Sequence, residues 1–430
     1  MNLELPRGMR DIESDEASKI EYIRQKFIET SNLFGFQFME SSPIELLSVI
    51  ETKSGASIKN EIYYFKDKGD RDVALRFDFT IGLTRYAVSQ KSMKLPAKLS
   101  AFGGVWRYDE PQKGRYRFFH QWDVEIYGQP NLESDAEIIE FTSKFFSNLQ
   151  LRNIVIDICD RELIESYVHQ VFKSNSAELV GDILRAVDKI QKKKKQEIMK
   201  EYEEKGYSFS ELEKILEFSQ IKGTPEEIER KFDVKQLKNW DKLCELFTSL
   251  KNRQVNNVKI NFGIVRGLDY YSGIVFEAFD SNSDLGALVG GGRYDTLTKA
   301  FGRSDLGATG VAGGVERIAF SLEKQGVVVS TKTPQVWVAF VNDELQRIAL
   351  SIVSQLRQKG IRAETDLGGK PLKKQMEMAS NSQFTIIVAP KEYSSKSIVV
   401  RNMKDGTEKQ IDLESLLANP HLIFNFKSSC

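Results

Sequence analysis

Residues 100–127 read SAFGGVWRYDEPQKGRYRFFHQWDVEIY, and this stretch decides the fold. Aromatic and β-branched residues dominate both halves, and a Pro-Gln-Lys-Gly segment at 111–114 separates them, which predicts a β-hairpin. In a strand from Arg115 to Tyr127, alternate side chains lie on opposite faces of the sheet. One face would carry Arg115, Arg117, Phe119, Gln121, Asp123 and Glu125, and the other Tyr116, Phe118, His120, Trp122, Val124 and Ile126.

The first strand of this hairpin has a face made mostly of small residues. Ala101, Gly103 and Val105 lead along it to Arg107 and Asp109. A low face flanked by arginines would suit a flat anionic ligand lying on the sheet. An antiparallel sheet that turns a charged face to water has the same pattern, and the pattern alone favours that simpler interpretation. We interpret His120, which has apolar neighbours, as a core histidine rather than a ligand or a base.

The composition is that of a globular protein. The chain has 430 residues, 61 Lys+Arg, 61 Asp+Glu and 41% hydrophobic residues, which suggests about three domains at roughly 150 residues each. Its apolar runs are far shorter than the roughly 20 residues that span a bilayer, and the acidic first twenty residues predict no signal peptide. The three scattered cysteines favour a reducing compartment, and the presence of only three histidines argues against a tightly bound metal. Together with the short apolar runs, these observations predict a cytoplasmic location and no membrane partner.

The character of the sequence changes along the chain. We expect a helix from Glu16 to Phe34, mostly strands from Glu61 to Tyr127, and strands again from Val258 to Arg317. The Glu-, Lys- and Leu-rich part between them predicts helices. The expected domains are a sheet domain at 1–160 and 252–325, a helical insertion at 161–251, and a small α/β domain at 331–430.

Two further stretches contain charged residues among strand formers and glycines. Residues 264–279 include Arg266, Tyr270 and Tyr271, and on their own they are typical of a hairpin bent at Gly267. Residues 310–317 read GVAGGVER and lead from a strand into a helix. Arg317 in the first helical turn opposes the macrodipole and should have an anionic partner, either a local carboxylate or a ligand.

Phosphate-binding glycine motifs are missing from the sequence. There is neither a Gly-Lys-Ser/Thr loop nor a dinucleotide fingerprint. An enzyme that uses ATP would therefore have to hold the phosphates with arginine side chains, whose planar fork binds phosphate oxygens bidentately.

Five segments taken together resemble histidyl-tRNA synthetases, which are class II aminoacyl-tRNA synthetases. They occur in the family's order, and the string at 266–271 is the most specific of them. The resemblance implies an α+β catalytic domain built on an antiparallel sheet, a helical insertion and a C-terminal α/β anticodon-binding domain. The segments are Pro6–Asp11, Leu75–Thr80, the hairpin from Trp106 to Gln121, Arg266–Tyr271 and Gly310–Arg317.

The resemblance implies ATP-dependent attachment of histidine to its tRNA through a histidyl-adenylate. ATP would enter as its magnesium complex, and the partners would be histidine, ATP, histidine tRNA and a second copy of the chain. The segment from Gly35 to Glu45 is similar to the family motif that builds the dimer interface.

The resemblance also implies residue roles. Arg107 would hold the α-phosphate and Arg266 would stabilise the transition state from the opposite side. Arg115 and Arg317 would bind the γ-phosphate end of ATP. Phe119 and Arg317 would lie on the two sides of the adenine.

On the histidine side, one set of polar groups would receive the α-amino group and another the imidazole. The first set is Asp78, Thr80 and Gln121. The second is Glu125 and Tyr271, one for each ring nitrogen, with Tyr270 beside them.

Three alternatives remain open at this stage. The family includes a regulatory subunit of ATP phosphoribosyltransferase that does not charge tRNA, although such paralogues typically lose parts of the 266–271 string and the anticodon domain. Residues 331–430 hold 14 Lys+Arg against 10 Asp+Glu, which suits tRNA binding and an ordinary surface about equally. Lys192–Lys195 could touch tRNA, but a solvated helix face is the better interpretation.

Overall fold

The computed structural model describes residues 3–110, 116–190, 193–265, 271–329 and 335–424. Two compact units, Met1–Val329 and Ser330–Cys430, divide the chain. Within the described residues, no helix is both long enough and apolar enough to cross a membrane.

The first unit contains twelve strands, twelve α-helices and a short 3-10 helix at Ala56–Asn60 among its described residues. The strands are β1 Gln37–Phe38, β2 Ile44–Leu46, β3 Tyr64–Lys66, β4 Asp72–Leu75, β5 Ala97–Trp106, β6 Phe118–Gly128, β7 Ile154–Asp160, β8 Lys222–Gly223, β9 Val258–Asn261, β10 Ile274–Asp280, β11 Ala287–Arg293 and β12 Gly307–Gly314. The helices are α1 Ser14–Leu33, α2 Leu47–Ser54, α3 Thr80–Ser89, α4 Leu132–Asn148, α5 Arg161–Phe172, α6 Ala177–Lys189, α7 Lys195–Glu204, α8 Phe209–Phe218, α9 Pro225–Glu229, α10 Trp240–Asn252, α11 Asp295–Ala300 and α12 Val315–Lys324.

A nine-stranded sheet forms the centre of this unit, in the order β1-β5-β6-β12-β11-β10-β7-β9-β8. Its strands pair antiparallel except β1 with β5 and β7 with β9. A separate three-stranded antiparallel sheet has the order β2-β4-β3. The predicted α+β fold on an antiparallel sheet is therefore confirmed.

Helices cover both faces of the large sheet. Buried side chains of α1, α4 and α12 pack on one face, together with the even-numbered residues of β6 that the alternation assigned to the core. Residues of α3 and α11 pack on the other face, beside Ala101 and Val105 of β5. The second face is the one on which the cleft described below opens, because the odd-numbered residues of β6 point there.

The core on the first face is centred on an aromatic cluster around Phe27. Its ring centroid lies 5.6 Å from that of Trp122 and 5.8 Å from that of Phe145, with Phe102 and Phe141 also within contact distance. Phe27, Trp122 and Phe145 are completely buried. Tilted and edge-on pairs of this kind stabilise a core beyond the area that they bury.

The segment predicted to be a helical insertion contains α5 to α10 and one very short strand. That strand, β8, pairs antiparallel with β9. The rings of Tyr167 and Phe218 stack with centroids 3.8 Å apart, and Phe218 stacks on Phe262 at 4.5 Å, so the helices join the core under the sheet.

The lysine run in this segment lies at the start of α7. Lys193 is paired with Glu201 at 3.0 Å and Lys195 with Glu213 at 3.0 Å, both on the surface, whereas Lys192 lies outside the described residues. These pairs agree with the interpretation as a solvated helix face.

One local expectation was incomplete and another was wrong. The strand-rich span from Glu61 to Tyr127 contains the helix α3, whose start is held by Asp78 because its Oδ1 accepts the Ile81 N–H at 3.2 Å. Packing of Leu83 and Ala87 in the core outweighs the β-branched residues of this stretch. The first helix runs Ser14–Leu33, close to the expected bounds.

The wrong expectation concerns Arg117, which was placed on the ligand-facing side of the predicted strand at 115–127. The regular strand begins at Phe118. The Arg117 guanidinium turns towards the N-terminal segment, where it donates to the main-chain oxygens of Asp109 and Arg7, both at 3.1 Å, and covers the Tyr108 ring at 3.9 Å.

The second unit has one mixed five-stranded sheet in the order β14-β13-β15-β16-β17. The expected strand and helix alternation is confirmed up to β15, whereas the antiparallel hairpin of β16 and β17 was not predicted. The elements are β13 Val336–Phe340, α13 Asp343–Gln358, β14 Ala363–Thr365, α14 Leu372–Met378, β15 Phe384–Val388, α15 Pro390–Ser394, β16 Ser397–Asn402, β17 Glu408–Asp412, α16 Leu413–Ala418 and α17 Pro420–Phe424.

The aromatic cluster yields a stability prediction. Phe27→Ala should lower the free energy of unfolding by about 3–5 kcal/mol, because it leaves a cavity among four rings. Urea unfolding followed by circular dichroism measures this loss. Leu33→Ala on the same helix is the control, since Leu33 is largely exposed and should change the value by no more than about 0.5 kcal/mol. Equal losses for the two variants would contradict this description of the core.

Candidate active site

The centre of the large sheet forms a low floor for a cleft. Strand β6 lies between β5 and β12, and three of its polar residues face mostly glycine and alanine on both sides. Small neighbours leave room above the sheet for a ligand that lies against the β6 side chains. In register, Gln121 lies between Gly103 and Gly314, Asp123 between Ala101 and Ala312, and Glu125 between Leu99 and Gly310.

A cleft of about 520 Å³ opens above this floor. Its walls come from the start of α3, the hairpin of β5 and β6, strand β11 and the start of α12. It therefore brings together most of the residues that the sequence analysis selected, although they come from distant parts of the chain. The selected residues that line it are Asp78, Thr80, Arg107, Phe119, Gln121, Tyr271 and Arg317.

The other selected residues fall in two groups. Glu125 lies under the cleft rather than in its lining; it is buried, and the Tyr294 hydroxyl donates to its Oε2. Arg115, Arg266 and Tyr270 lie outside the described residues, so the structure does not test their predicted positions.

One end of the cleft is rich in carboxylates. Burial and the negative charges of Glu125, Glu277, Asp123 and Asp78 raise the pKa of the Tyr271 phenol. Burial also raises the pKa of Asp123 well above its ordinary value, and the nearby Glu125 and Asp78 add to this shift. Because Asp123 resists ionisation, the negative potential at this end comes from the ionised members of the group, and it favours a cationic ligand.

Two buried acceptors at this end are unsatisfied. Thr80 Oγ1 donates to Asp123 Oδ2 at 3.2 Å, but Asp123 Oδ1 and Gln121 Oε1 accept no hydrogen bond from any part of the chain that the structure describes. Buried polar atoms are usually paired, so these two oxygens mark a place where a ligand could donate.

Two arginines, Arg107 and Arg317, line another part of the cleft, together with the carboxylates of Asp109 and Glu316. Arg107 Nε donates to the Phe77 carbonyl oxygen at 3.0 Å, and the guanidinium carbon lies 5.2 Å from the centre of the Phe119 ring. Arg317, in the first turn of α12, donates from Nη1 to the Ala287 carbonyl oxygen at 2.7 Å. The two arginines and the amino-terminal end of α12 favour an anion here.

His120 is the satisfied histidine that the sequence suggested. It lies between Phe102 and Phe118, and its Nδ1 is 3.2 Å from Glu316 Oε1. The same carboxylate also accepts the His120 main-chain N–H at 2.9 Å. This fixes Glu316, a cleft residue that the sequence analysis did not select, at the start of α12.

Other contributors were also missed. The alternation placed Asp123 on the correct face, but nothing marked it as more than a surface acid. Glu277 reaches the acidic end because it pairs with Gly290, which pairs with Ala312 next to Asp123. That register depends on which strands are neighbours and could not be derived from local sequence.

Two glycines in the floor of the cleft, Gly310 and Gly290, provide a matched pair of variants for a stability test. A Cβ at position 310 would lie 1.5 Å from Glu125 Oε2 and 2.7 Å from the Val124 carbonyl oxygen, whereas a Cβ at position 290 would meet nothing within 4 Å. Gly310→Ala should therefore lower the free energy of unfolding by about 1–3 kcal/mol.

Gly290→Ala should change that free energy by no more than about 0.5 kcal/mol, although it puts a methyl group in the cleft. Chemical denaturation of both variants checks the pair. A Gly310→Ala protein as stable as the wild type would mean that Glu125 does not pack against β12 as described.

Comparison with known protein families gives matches over both units. A sequence model described as histidyl-tRNA synthetase matches residues 8–318, and one described as an anticodon binding domain matches residues 335–419. The histidine–tRNA ligase of Pyrococcus furiosus is 33% identical over 426 residues, covering 96% of this chain and 98% of the relative. That of Thermococcus kodakarensis is 32% identical, covering 96% and 97%.

Solved structures agree at the level of the fold. A histidyl-tRNA synthetase from Nostoc sp. superposes with a TM-score of 0.83 at 23% identity, covering 99% of both chains. A Bacillus halodurans protein described as an ATP phosphoribosyltransferase regulatory subunit/histidyl-tRNA synthetase reaches 0.75 at 20% identity, covering 90% of this chain and 99% of that one. Because these sequence matches extend over most of its length, the chain belongs to the histidyl-tRNA synthetase family.

Proposed function

We propose that this protein attaches histidine to its tRNA in two steps that consume ATP. The observation that carries the proposal is the cleft, which is acidic at one end and basic at the other, over a floor of small residues. Such a site can hold a cationic amino acid beside a polyphosphate. The relatives that match nearly the whole chain are named histidine–tRNA ligases, which supports the same activity.

The chemistry is substitution at phosphorus followed by acyl transfer. A histidine carboxylate oxygen attacks the α-phosphorus of ATP, the bond to the bridging oxygen breaks, and pyrophosphate leaves. The terminal ribose hydroxyl of tRNA then attacks the carbonyl carbon, and AMP leaves. Both steps depend mainly on positioning and on stabilising developing negative charge.

The basic end would hold ATP. Arg107 would contact the α-phosphate, because Phe77 holds its guanidinium on the floor beside Phe119. Phe119 and Arg317 would enclose the adenine. By family resemblance, Arg115 and Arg317 would contact the γ-phosphate, and Arg266 would stabilise the transition state.

The acidic end would hold histidine. The ammonium group would lie at Asp78, Thr80 and Gln121, where Gln121 Oε1 is available as an acceptor. Glu125 and Tyr271 would each pair with one imidazole nitrogen, with Tyr270 beside them.

A pocket that pairs both imidazole nitrogens rejects analogues that lack them. When such an analogue binds, the buried polar groups of the pocket would lack hydrogen-bond partners.

Magnesium would arrive with ATP as part of the substrate. The described residues include no group of three or more His, Cys, Asp or Glu side chains arranged to hold a metal ion. The arginines of the chain would contact the phosphate oxygens, because a guanidinium fork binds them bidentately.

The second unit would bind the anticodon of the tRNA. Residues 335–419 match the anticodon-binding family, and the excess of Lys+Arg over Asp+Glu in this part suits a polyanion. The same match weighs against the regulatory paralogue, because that role needs no anticodon domain.

We also propose a homodimer. Large apolar side chains lie exposed on the small sheet and on β1, in and near the segment that resembles the family's dimerisation motif. The residues are Phe38, Ile44, Leu46, Tyr64 and Phe65, each between 41% and 50% exposed. Ile44, Leu46 and Phe65 share one face of the small sheet, because Leu46 and Phe65 both pair with Val73 and Ile44 lies two residues before Leu46. Exposed apolar residues that share a face indicate an interaction surface.

Pyrophosphate exchange tests the activity. ATP–pyrophosphate exchange measured with each standard amino acid should occur with histidine alone. Arg107→Ala should lower its kcat/KM about 100-fold or more, because one phosphate-binding charge is lost. Arg303→Ala, which removes an arginine paired with Asp305 outside the cleft, is the control and should leave exchange unchanged. Exchange with no amino acid would refute the proposal and leave the regulatory paralogue.

Sedimentation tests the dimer. The wild type should sediment as a dimer, and the double variant Leu46→Glu, Phe65→Glu should sediment as a monomer, because two charges would be buried without partners. Leu33→Glu, at an exposed site on α1, is the matched control and should stay dimeric. A monomeric wild type would contradict the proposal.

A further inference from the structure

Arg161 lies where the helical segment leaves the sheet and is the first residue of α5. Its Nη1 donates to the main-chain oxygen of Tyr271, and its own N–H donates to the Gly273 oxygen at 2.9 Å. Its Nε donates to Glu165 Oε1 at 2.7 Å, which holds the guanidinium from behind. One residue thus binds both ends of the segment at 271–273.

The same segment is held from its other side by the end of β11 and the start of α11. The Ser272 N–H donates to the Arg293 oxygen at 2.7 Å, and Ser272 Oγ accepts the Asp295 N–H at 3.0 Å. The Tyr271 ring lies against Gly292, where an added Cβ would come within 3.0 Å of Tyr271 Cδ1. The position of the Tyr271 ring in the cleft therefore depends on two anchors of its main chain.

The anchor at Arg161 is itself built into the helical segment. Asp160 Oδ1 accepts the Leu163 N–H at 3.0 Å and so caps α5, and it also accepts from Asn239 Nδ2 at 3.1 Å. Asn239 immediately precedes α10 and also donates to Glu162 at 3.0 Å. The first and last helices of the segment are thus tied to the end of β7, from which Arg161 reaches Tyr271.

We propose that Arg161 is a positioning residue for the amino acid pocket, and that it acts through the main chain of Tyr271. A charged donor on a carbonyl oxygen gives a strong, directional hydrogen bond, so it fixes where the phenol hydroxyl stands relative to Glu125. The helical segment thereby contributes to histidine binding without touching the ligand. This inference rests on the proposed function only in naming histidine as the ligand.

The test compares three variants by two measurements, the Kd for histidine from calorimetry and the KM values for histidine and ATP from exchange. Arg161→Met should raise the Kd and KM for histidine about tenfold and leave the KM for ATP within about twofold. Arg161→Lys should fall between it and the wild type, because lysine can still donate to the carbonyl oxygen. Arg185→Met is the matched control, since this exposed arginine of α6 in the same helical segment pairs with Asp182 and should leave all three values unchanged.

A double-mutant cycle with Tyr271→Phe separates positioning from a general structural effect. If Arg161 acts through the Tyr271 hydroxyl, Arg161→Met should have a much smaller effect on histidine Kd in the Tyr271→Phe background. Equal effects in both backgrounds, or a fall in kcat with unchanged histidine affinity, would overturn the inference. If Arg161→Met does not fold, the same cycle is run with Arg161→Lys.

The two proposals fail in distinguishable ways. A wild type that binds histidine but exchanges nothing would refute the synthetase activity alone, and the Kd comparison would still decide the role of Arg161. A wild type that exchanges with histidine while all Arg161 variants keep its affinity would overturn only the role of Arg161. Failure of the wild type to bind histidine would overturn both.

Discussion

The Glu125 carboxylate lies so close to the main chain of β12 that a methyl group at position 310 would overlap it. This approach requires glycine on the neighbouring strand, and it lets a buried acid stand in the middle of a sheet with the Tyr294 hydroxyl as a donor. The acidic end of the cleft is built around that acid, since Asp123 precedes it by two residues on the same face. The close packing of Glu125 against β12 therefore accounts both for the depth of the cleft at this end and for its negative charge.

The two ends of the cleft differ in charge, and burial strengthens the electrostatic interactions at each end because little water screens them. Burial, and then the nearby charges of Glu125 and Asp78, make Asp123 harder to ionise and raise its pKa. An ammonium group bound among the carboxylates would reduce the repulsion between them. Phosphates bound at the other end would likewise offset the positive charges of the two arginines. The stability of an empty site and its affinity for a zwitterionic substrate are thus opposed.

Local sequence predicted those parts of the site that depend on one strand or one helix start. Alternation along β6 correctly put Phe119 and Gln121 over the cleft, and the helix start predicted at Arg317 is present. The contributions of Glu277 and Tyr294 could not be predicted in this way, because they follow from strand order and register between residues far apart in the chain. Arg117 was misplaced because it precedes the regular strand, which begins at Phe118, so alternation does not fix its direction. Helix α3 was missed because core packing outweighed its β-branched composition.

The two residues of β8 have a structural consequence beyond their length. They lie within the helical segment, yet they pair with β9 and close that margin of the nine-stranded sheet. Without them, the main-chain groups of β9 would be open to pairing with another molecule. The helical segment therefore covers part of that edge, at Ile260 and Asn261, and reduces the main-chain surface with which another molecule could pair.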